Sequence, residues 1–300
     1  MVTGGAGFIG SHLVDHLINL GAEVSIIDNL STGRVENLNP KAKFIKGDMR
    51  DKELLRDVLR NKELVFHFAA MVSIEESFSN PQKCFEINNL GFLNILELAV
   101  ENRVKKVIFA SSCAVYGSVE SEISENMALN PSNFYALSKY DGECYLRYFS
   151  NRIEYSILRF FNVYGLRQNA DSEYAPVIPI FIKRALANQD LIIYGDGTQT
   201  RDFIYVSDVA NACVKAQFNP NGIFNIGSGK EISILELAQK VIYLTNSKSK
   251  ITFTLERSGD IKRSFANISN AVKNLGWKRE ISLEEGLKKM EAWIRDLAKL

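Results

Sequence analysis

The chain opens Met1-Val2-Thr3-Gly4-Gly5-Ala6-Gly7-Phe8-Ile9-Gly10, directly ahead of an amphipathic stretch, and this opening constrains the fold more than any other feature. It contains Gly-x-Gly-x-x-Gly (Gly5, Gly7, Gly10) and the overlapping Gly4-x-x-Gly7-x-x-Gly10. Glycines so spaced allow a tight strand-to-helix turn, close approach of the backbone to a pyrophosphate, and close helix–strand packing, while the helix N-terminus offers N–H groups to the anion. The context agrees. Phe8–Leu20 reads as the helix and Glu23–Asp28 as the next strand, which ends on a carboxylate able to accept from a ribose 2′-hydroxyl. A carboxylate there repels a 2′-phosphate, so NAD is expected rather than NADP. Only Met1–Thr3 precede the glycines, so the first strand is expected to be short, as a trimmed or misassigned start would leave it.

The first two-thirds of the chain alternates short apolar runs with longer amphipathic ones, the pattern of an α/β fold with a doubly wound parallel sheet. Further strands are predicted at Leu64–Ala69, Lys106–Ser111 and Tyr155–Asn162, with helices at Lys52–Leu59 and Phe85–Glu101. After Gly165 the texture becomes polar and loop-rich (Arg167–Ala175), followed by Val177–Ala187 and the turn Gly195-Asp196-Gly197. A smaller α/β lobe is expected there. Ile223–Ile226 can return to the main sheet, and Ser233–Thr245 and Leu283–Lys299 read as amphipathic helices. The expected division is therefore 1–165 with roughly 203–226 for the dinucleotide domain, and 166–202 with 227–300 for a substrate lobe.

Thirty-six Lys and Arg against 35 Asp and Glu leave a formal charge of +1, so no nucleic-acid or membrane surface is expected. The four cysteines (Cys84, Cys113, Cys144, Cys213) form no Cys-x-x-Cys pair and are read as reduced thiols. His12 and His16 are four apart on one helix but have no third partner nearby, so no metal is expected. With no signal peptide and no run of about 18 apolar residues, the cytoplasm is the expected compartment.

Tyr135-Ala136-Leu137-Ser138-Lys139 places a phenol and an ammonium on one helix face, about 5–6 Å apart at Cβ, and Pro131 is a helix-entry signal before it. A fixed cation near a phenol stabilises the phenolate and moves it toward a base useful at neutral pH. Ser111-Ser112-Cys113-Ala114-Val115-Tyr116-Gly117 adds hydroxyls at the C-terminal end of a predicted strand, where open α/β sheets hold their ligands.

Together these motifs resemble the extended short-chain dehydrogenases, and within them the UDP-glucose 4-epimerases and their N-acetylhexosamine relatives, over essentially the whole chain. The resemblance implies a Rossmann-type domain holding NAD through Gly4, Gly7, Phe8, Ile9, Gly10, Asp28 and Asn29, with Asp48 and Met49 beside the adenine. It places His67-Phe68-Ala69-Ala70 beneath the dinucleotide, and Asn88, Ser111, Tyr135 and Lys139 around the ribose and nicotinamide. Ser112, four before Tyr116, becomes the partner of the sugar hydroxyl, which makes Ser112, Tyr135 and Lys139 the catalytic trio. Substrate contacts are implied for Asn162 in Phe160–Gly165, for the backbone around Val177, and for Arg201 and Arg257 as diphosphate arginines. Ser264, seven positions after Arg257, is implied as a gate beside the sugar C2 substituent. A small residue there leaves room for an acetamido group where a tyrosine would collide with it, and the loop Arg167–Tyr174 also resembles the N-acetyl-preferring group. Relatives commonly pair as homodimers through the helices that here are Phe85–Glu101 and Tyr135–Ser150.

Two positions depart from the family pattern: Asn267 stands where Asp is common and Leu166 where Pro is usual, which puts loop details in doubt and leaves the cofactor chemistry intact. Among rival chemistries, a 4,6-dehydratase resembles a Thr-Asp-Glu cluster, whereas the matching positions here are Ser112, Cys113 and Ala114, with no acid. A nucleotide-sugar decarboxylase shares the cofactor half. A non-catalytic NAD-binding module would be expected to lose the tyrosine or the lysine, and both are present. The expectation is an isomerase acting on a UDP-sugar.

Overall fold

The computed structural model describes residues 1–169, 176–219, 221–256 and 261–297. Six strands, β1 (Val2–Thr3), β2 (Ser25–Asp28), β3 (Lys43–Lys46), β4 (Leu64–His67), β5 (Lys106–Ser112) and β6 (Glu154–Phe160), join Gly222–Ile226 in a seven-stranded sheet. Across the sheet the order is Gly222–Ile226, β6, β5, β4, β1, β2, β3, and every pairing is parallel. The order reverses at β1, so the crevice at the carboxyl ends of β1 and β4 is where an open sheet of this kind takes a ligand.

Parallel strands covered on both faces read as continuous apolar runs, and β2 and β4–β6 are buried along most of their length. The helices are α1 (Phe8–Asn19), α2 (Lys52–Val58), α3 (Ile74–Ser79), α4 (Pro81–Phe85), α5 (Gly91–Glu101) and α6 (Phe134–Tyr148). Leu13, Val14 and Leu17 of α1 form a core on one sheet face with Val209, Ala212 and Val214 of helix Val206–Ala216. Leu55, Phe92, Leu96 and Leu146 from α2, α5 and α6 form a core on the other.

A third core belongs to the small lobe: Ile178, Phe181 and Ile182 of helix Val177–Leu186 pack with Leu191, Leu237, Val241, Leu287 and Met290. Two stretches fall on the other side of the expected division. Strand Phe203–Tyr205 pairs with Asn162–Tyr164 and buries Phe203 and Tyr205 in the third core, whereas Ala271, Leu275 and Trp277 pack against the main sheet.

Most expected elements are present within two or three residues of their limits. Four details differ. Strand β3 is not signalled by its sequence, because Lys43 and Lys46 at its ends are exposed at the sheet edge, where lysines discourage further pairing. The expected helix Phe85–Glu101 begins with a π-helical turn, Glu86–Leu90, before α5. Helix α6 is entered by Asn133, whose Oδ1 accepts from the Ala136 N–H at 2.8 Å, two residues after Pro131. Helix Leu283–Leu297 is described to Leu297, and Lys299 lies outside the described residues.

Candidate active site

The glycine turn forms a cradle that side chains cannot enter. Gly4 sits at φ +69°, and a Cβ at Gly10 would lie 2.2 Å from the Gly4 carbonyl oxygen. Helix α1 begins at Gly7 with no side chain capping it, so its first N–H groups face the crevice. These features fit a dinucleotide pyrophosphate: glycines clear the approach, and the helix end supplies donors and a partial positive charge. Asp28 closes β2 beside it, its Oδ2 accepting from the Ala6 N–H at 3.0 Å and its Oδ1 from the Leu30 N–H at 2.8 Å. A carboxylate has about four acceptor sites, so the one that holds the loop in place keeps capacity for ribose hydroxyls. Gly33 was not singled out in the sequence, yet a Cβ there would stand 2.9 Å from Asp28 Oδ1. Its one sequence signal is a lone glycine five residues after Asp28, too ordinary by itself.

Asn29 and Asp48 form one unit. Asn29 Nδ2 donates to Asp48 Oδ2 at 3.0 Å, and Arg50 grips the same carboxylate through Nε and a terminal nitrogen, both at 2.9 Å. The Arg50 hydrogen bonds hold the Asp48 carboxyl down at about 2. Met49 is buried against Gly91, where a Cβ would meet its side chain at 2.7 Å. On the β4 side, Thr3 Oγ1 accepts from the Phe68 and Ala69 N–H groups at 3.1 Å and contacts His67 Nδ1 at 2.9 Å. His67 stacks on Phe92 with ring centroids 4.5 Å apart, and burial, with Lys139 adding, pushes its pKa well below the ordinary value. It is a neutral core residue supporting the Phe68-Ala69-Ala70 backbone. Asn88, buried in the π-helical turn, brackets Met71 by accepting from its N–H at 2.7 Å and donating to its carbonyl at 3.0 Å, and it donates to Ser138 Oγ at 2.9 Å.

Helix α6 carries Tyr135 and Lys139 over the C-terminal end of β5. The Tyr135 phenol lies beside Ser112, and Lys139 Nζ donates to the Ala110 carbonyl at 2.8 Å and lies 5.9 Å from the Tyr135 ring centroid. The trio expected from the sequence is therefore assembled. Its electrostatics differ from expectation: burial pushes the phenol up to about 12 despite the neighbouring Ser112 hydroxyl, and pushes the Lys139 ammonium down to about 8. The expected lowering by Lys139 does not appear: burial dominates the phenol's shift, and the ammonium is directed at the Ala110 carbonyl. Ser111, expected beside the cofactor, turns its side chain into the core. Its side chain is buried and its hydroxyl donates to Glu143 Oε1 at 2.6 Å, since successive strand residues point to opposite faces.

The opposite wall comes from distant segments. Asn162 opens the strand paired with Phe203–Tyr205, its N–H donating to the Asp202 carbonyl at 3.0 Å. Val177 is the first residue of its helix, after Pro176. Arg201 donates to the Thr200 and Ile261 carbonyls at 2.8 and 2.5 Å. Asp202 is buried and accepts from the Ser228, Gly229 and Ala266 N–H groups at 2.6, 3.0 and 3.1 Å, tying the Arg201 strand to the segment after Ser264. Ser264 is buried at 5% exposure and lies beside the Cys113 thiol, which also adjoins Ser112. Burial, with Asp202 adding, raises that thiol to about 11. Ser112, Cys113, Arg201 and Ser264 thus converge. A cavity of about 320 Å³ lies between Tyr194–Gln199 and Ile261–Lys262, lined by none of these four residues. Arg257 and residues 170–174 of the expected specificity loop lie outside the described residues. His12 Nε2 contacts the Leu166 carbonyl at 2.9 Å.

Comparison with known proteins adds a family model and close relatives. Residues 1–227 match the model of the NAD dependent epimerase/dehydratase family. A protein of Methanocaldococcus jannaschii described as a putative UDP-glucose 4-epimerase is 45% identical, over 99% of this chain and 98% of its own length. The crystal structure of a UDP-glucose 4-epimerase from Thermotoga maritima with UDP-glucose superposes with a TM-score of 0.96 at 38% identity, covering 99% of this chain and 98% of that one. A UDP-N-acetylglucosamine 4-epimerase from Methanobrevibacter ruminantium, in complex with UDP-N-acetylmuramic acid, gives 0.95 at 39% identity over 99% and 97%.

Proposed function

Because the chain belongs to the NAD-dependent epimerase/dehydratase family, we propose that it is an isomerase that inverts C4 of a UDP-hexose. The observation that carries this reading is the meeting of Ser112, Tyr135 and Lys139 at the end of β5, beside an uncapped, glycine-walled helix start. NAD is the cofactor, and when bound it accepts hydride from the sugar C4 and returns it to the opposite face of the 4-keto carbon, with no net redox change. Tyr135 Oη, in its phenolate form, takes the proton of the 4-hydroxyl and later gives it back, while Ser112 holds that oxygen in line. Lys139 supplies a fixed positive charge near the phenol. Arg201 and Arg257 hold the diphosphate, leaving the hexose free to turn between the two hydride transfers.

The substrate range includes the N-acetyl pair. Ser264 stands beside Cys113 and Ser112 and carries no bulk to fill the space of an acetamido group. The enzyme works as a homodimer: Phe85, Leu90, Leu137 and Tyr148, on the α4–α5 segment and on α6, are exposed apolar side chains that a second copy would cover. It acts in the cytoplasm, where its four free thiols stay reduced. Among the described residues no helix is long and apolar enough to cross a membrane.

The test is turnover of UDP-glucose and UDP-N-acetylglucosamine without added NAD, followed by chromatography and mass analysis. A 4-epimer of unchanged mass is the expected product. Loss of water or of carbon dioxide from a suitable UDP-sugar would replace this reading with a dehydratase or a decarboxylase, and no conversion would favour a binding module.

A further inference from the structure

Tyr135, Lys139 and Glu143 recur at intervals of four and so share one face of α6. That face lies close on β5 because Gly142 has no side chain: a Cβ there would stand 2.5 Å from the Phe109 ring. The proposed chemistry uses the first two residues and leaves Glu143, which is fully buried, without a task. Its carboxylate accepts from Arg159 Nε at 2.8 Å, from an Arg159 terminal nitrogen at 2.6 Å and from Ser111 Oγ at 2.6 Å. Arg147 reaches the same group from the next helical turn at 3.5 Å. Ser111 and Arg159 are register partners across β5 and β6. The remaining Arg159 nitrogen donates to the Tyr116 hydroxyl at 2.8 Å and to the Glu125 carbonyl at 3.3 Å, and Tyr116 donates to Asn225 Oδ1 at 2.7 Å.

One ion pair therefore holds both flanks of Ser112: the residue before it, through Ser111, and the residue four after it, through Tyr116. The acid of that pair stands one helical turn from Lys139 and two from Tyr135. A buried ion pair is a poor source of stability, since removing two charges from water costs several kcal/mol per ion and well-packed apolar replacements are often neutral or better. Its geometric content is large, because a guanidinium fork and a carboxylate meet in one orientation only. We infer that Glu143 and Arg159 are positioning residues for the reaction, fixing helix α6 against β5 so that the Tyr135 phenol stays within hydrogen-bond reach of Ser112. The inference rests on the reading of Ser112, Tyr135 and Lys139 as the reacting groups.

Arg159→Lys tests it by keeping the charge while losing the fork. Misplacement of a reacting group by about 1 Å can lower the rate on the order of a hundredfold. The expected result is kcat reduced about tenfold or more, KM for the UDP-sugar unchanged and bound NAD retained. The same substitution in a Tyr135→Phe background should add little further loss, because the group being positioned is already gone. A purely structural role would lower the active fraction by the same factor in both backgrounds, and that result would overturn the inference. Ser111→Ala, which removes one hydroxyl and no charge, decides the matter if Arg159→Lys fails to fold: a smaller kcat loss at constant KM is expected, and unchanged kcat overturns the inference. Near-normal turnover by Tyr135→Phe alone would instead remove the reading of the trio on which it rests.

Discussion

Around the glycine turn, the surface of the cleft comes from one short stretch of chain: Gly4, Gly7 and Gly10 shape it, and Asp28, at the end of the next strand, braces it through the Ala6 N–H. The facing wall draws Ser112 from β5, Tyr135 from α6, Asn162 and Arg201 from two small strands, and Ser264 from near the C-terminal end. The cradle works through backbone N–H groups and the lack of side chains, whereas the wall works through side chains held by buried polar contacts. A region of the first kind should fail by losing its ligand, and a region of the second by losing rate or selectivity while the ligand stays bound.

The largest effect is expected from Gly10→Ala. Its methyl would meet the Gly4 carbonyl oxygen at 2.2 Å, and because the obstacle is backbone the turn must move. The purified variant should carry almost no NAD and show almost no turnover unless NAD is added; cofactor content after denaturation checks this. Full NAD occupancy would mean that the turn tolerates a side chain, which breaks the contrast. Tyr135→Phe should do the reverse, retaining NAD while turnover falls by about 10²–10⁴-fold, the usual contribution of a general acid–base group.

Ser264→Tyr sharpens the contrast within the wall itself. Comparison of kcat/KM for the N-acetyl pair and for UDP-glucose and UDP-galactose should show a selective loss of about tenfold or more for the N-acetyl pair, the size expected of a steric pocket change. Equal losses for both pairs would place the gate elsewhere.

The smallest effect is on stability against pH. Lys139 has a folded pKa lowered by burial from 10.5 to about 8, so between those values the unfolded chain binds more protons and stability rises with pH. Below pH 8 both states are protonated and the full penalty remains. Cys113, raised by burial from 9.0 to about 11, and Tyr135, raised from 10.0 to about 12, act the other way above pH 9 and above pH 10, which limits the gain to roughly pH 8–9. Denaturation midpoints should rise by an amount corresponding to about 1 kcal/mol per pH unit in that window, and Lys139→Met should abolish the rise.

Much of the dinucleotide half was legible because its signals are local. The glycine spacing, the carboxylate ending β2 and the i, i+4 pair Tyr135/Lys139 are each set by a single turn or helix, and all appear where the sequence placed them. That Ser111 donates to Glu143 is not legible in the sequence, because two adjacent hydroxyls at a strand end differ only in the face the pleat gives them. Arg159 carries a sequence signal of its own: a charge within the apolar run Ser156–Phe160 of a strand buried on both faces requires a partner. Glu143, one turn beyond Lys139, was that partner. Asp202 is inconspicuous in sequence beside Arg201, although three N–H groups from two other segments end on its carboxylate.

The sequence by itself determined the parallel α/β architecture, the glycine turn and the shared helix face of Tyr135 and Lys139, because each depends on spacing within one strand, turn or helix and on rules that hold wherever that spacing occurs. Only the tertiary structure decided which face each hydroxyl takes, that Ser264 lies against Cys113, that Arg159 answers Glu143, and that burial sets the Tyr135 phenol high and the Lys139 ammonium low. Those outcomes depend on chain segments far apart in sequence and on how completely they exclude water, and neither is encoded at any one position.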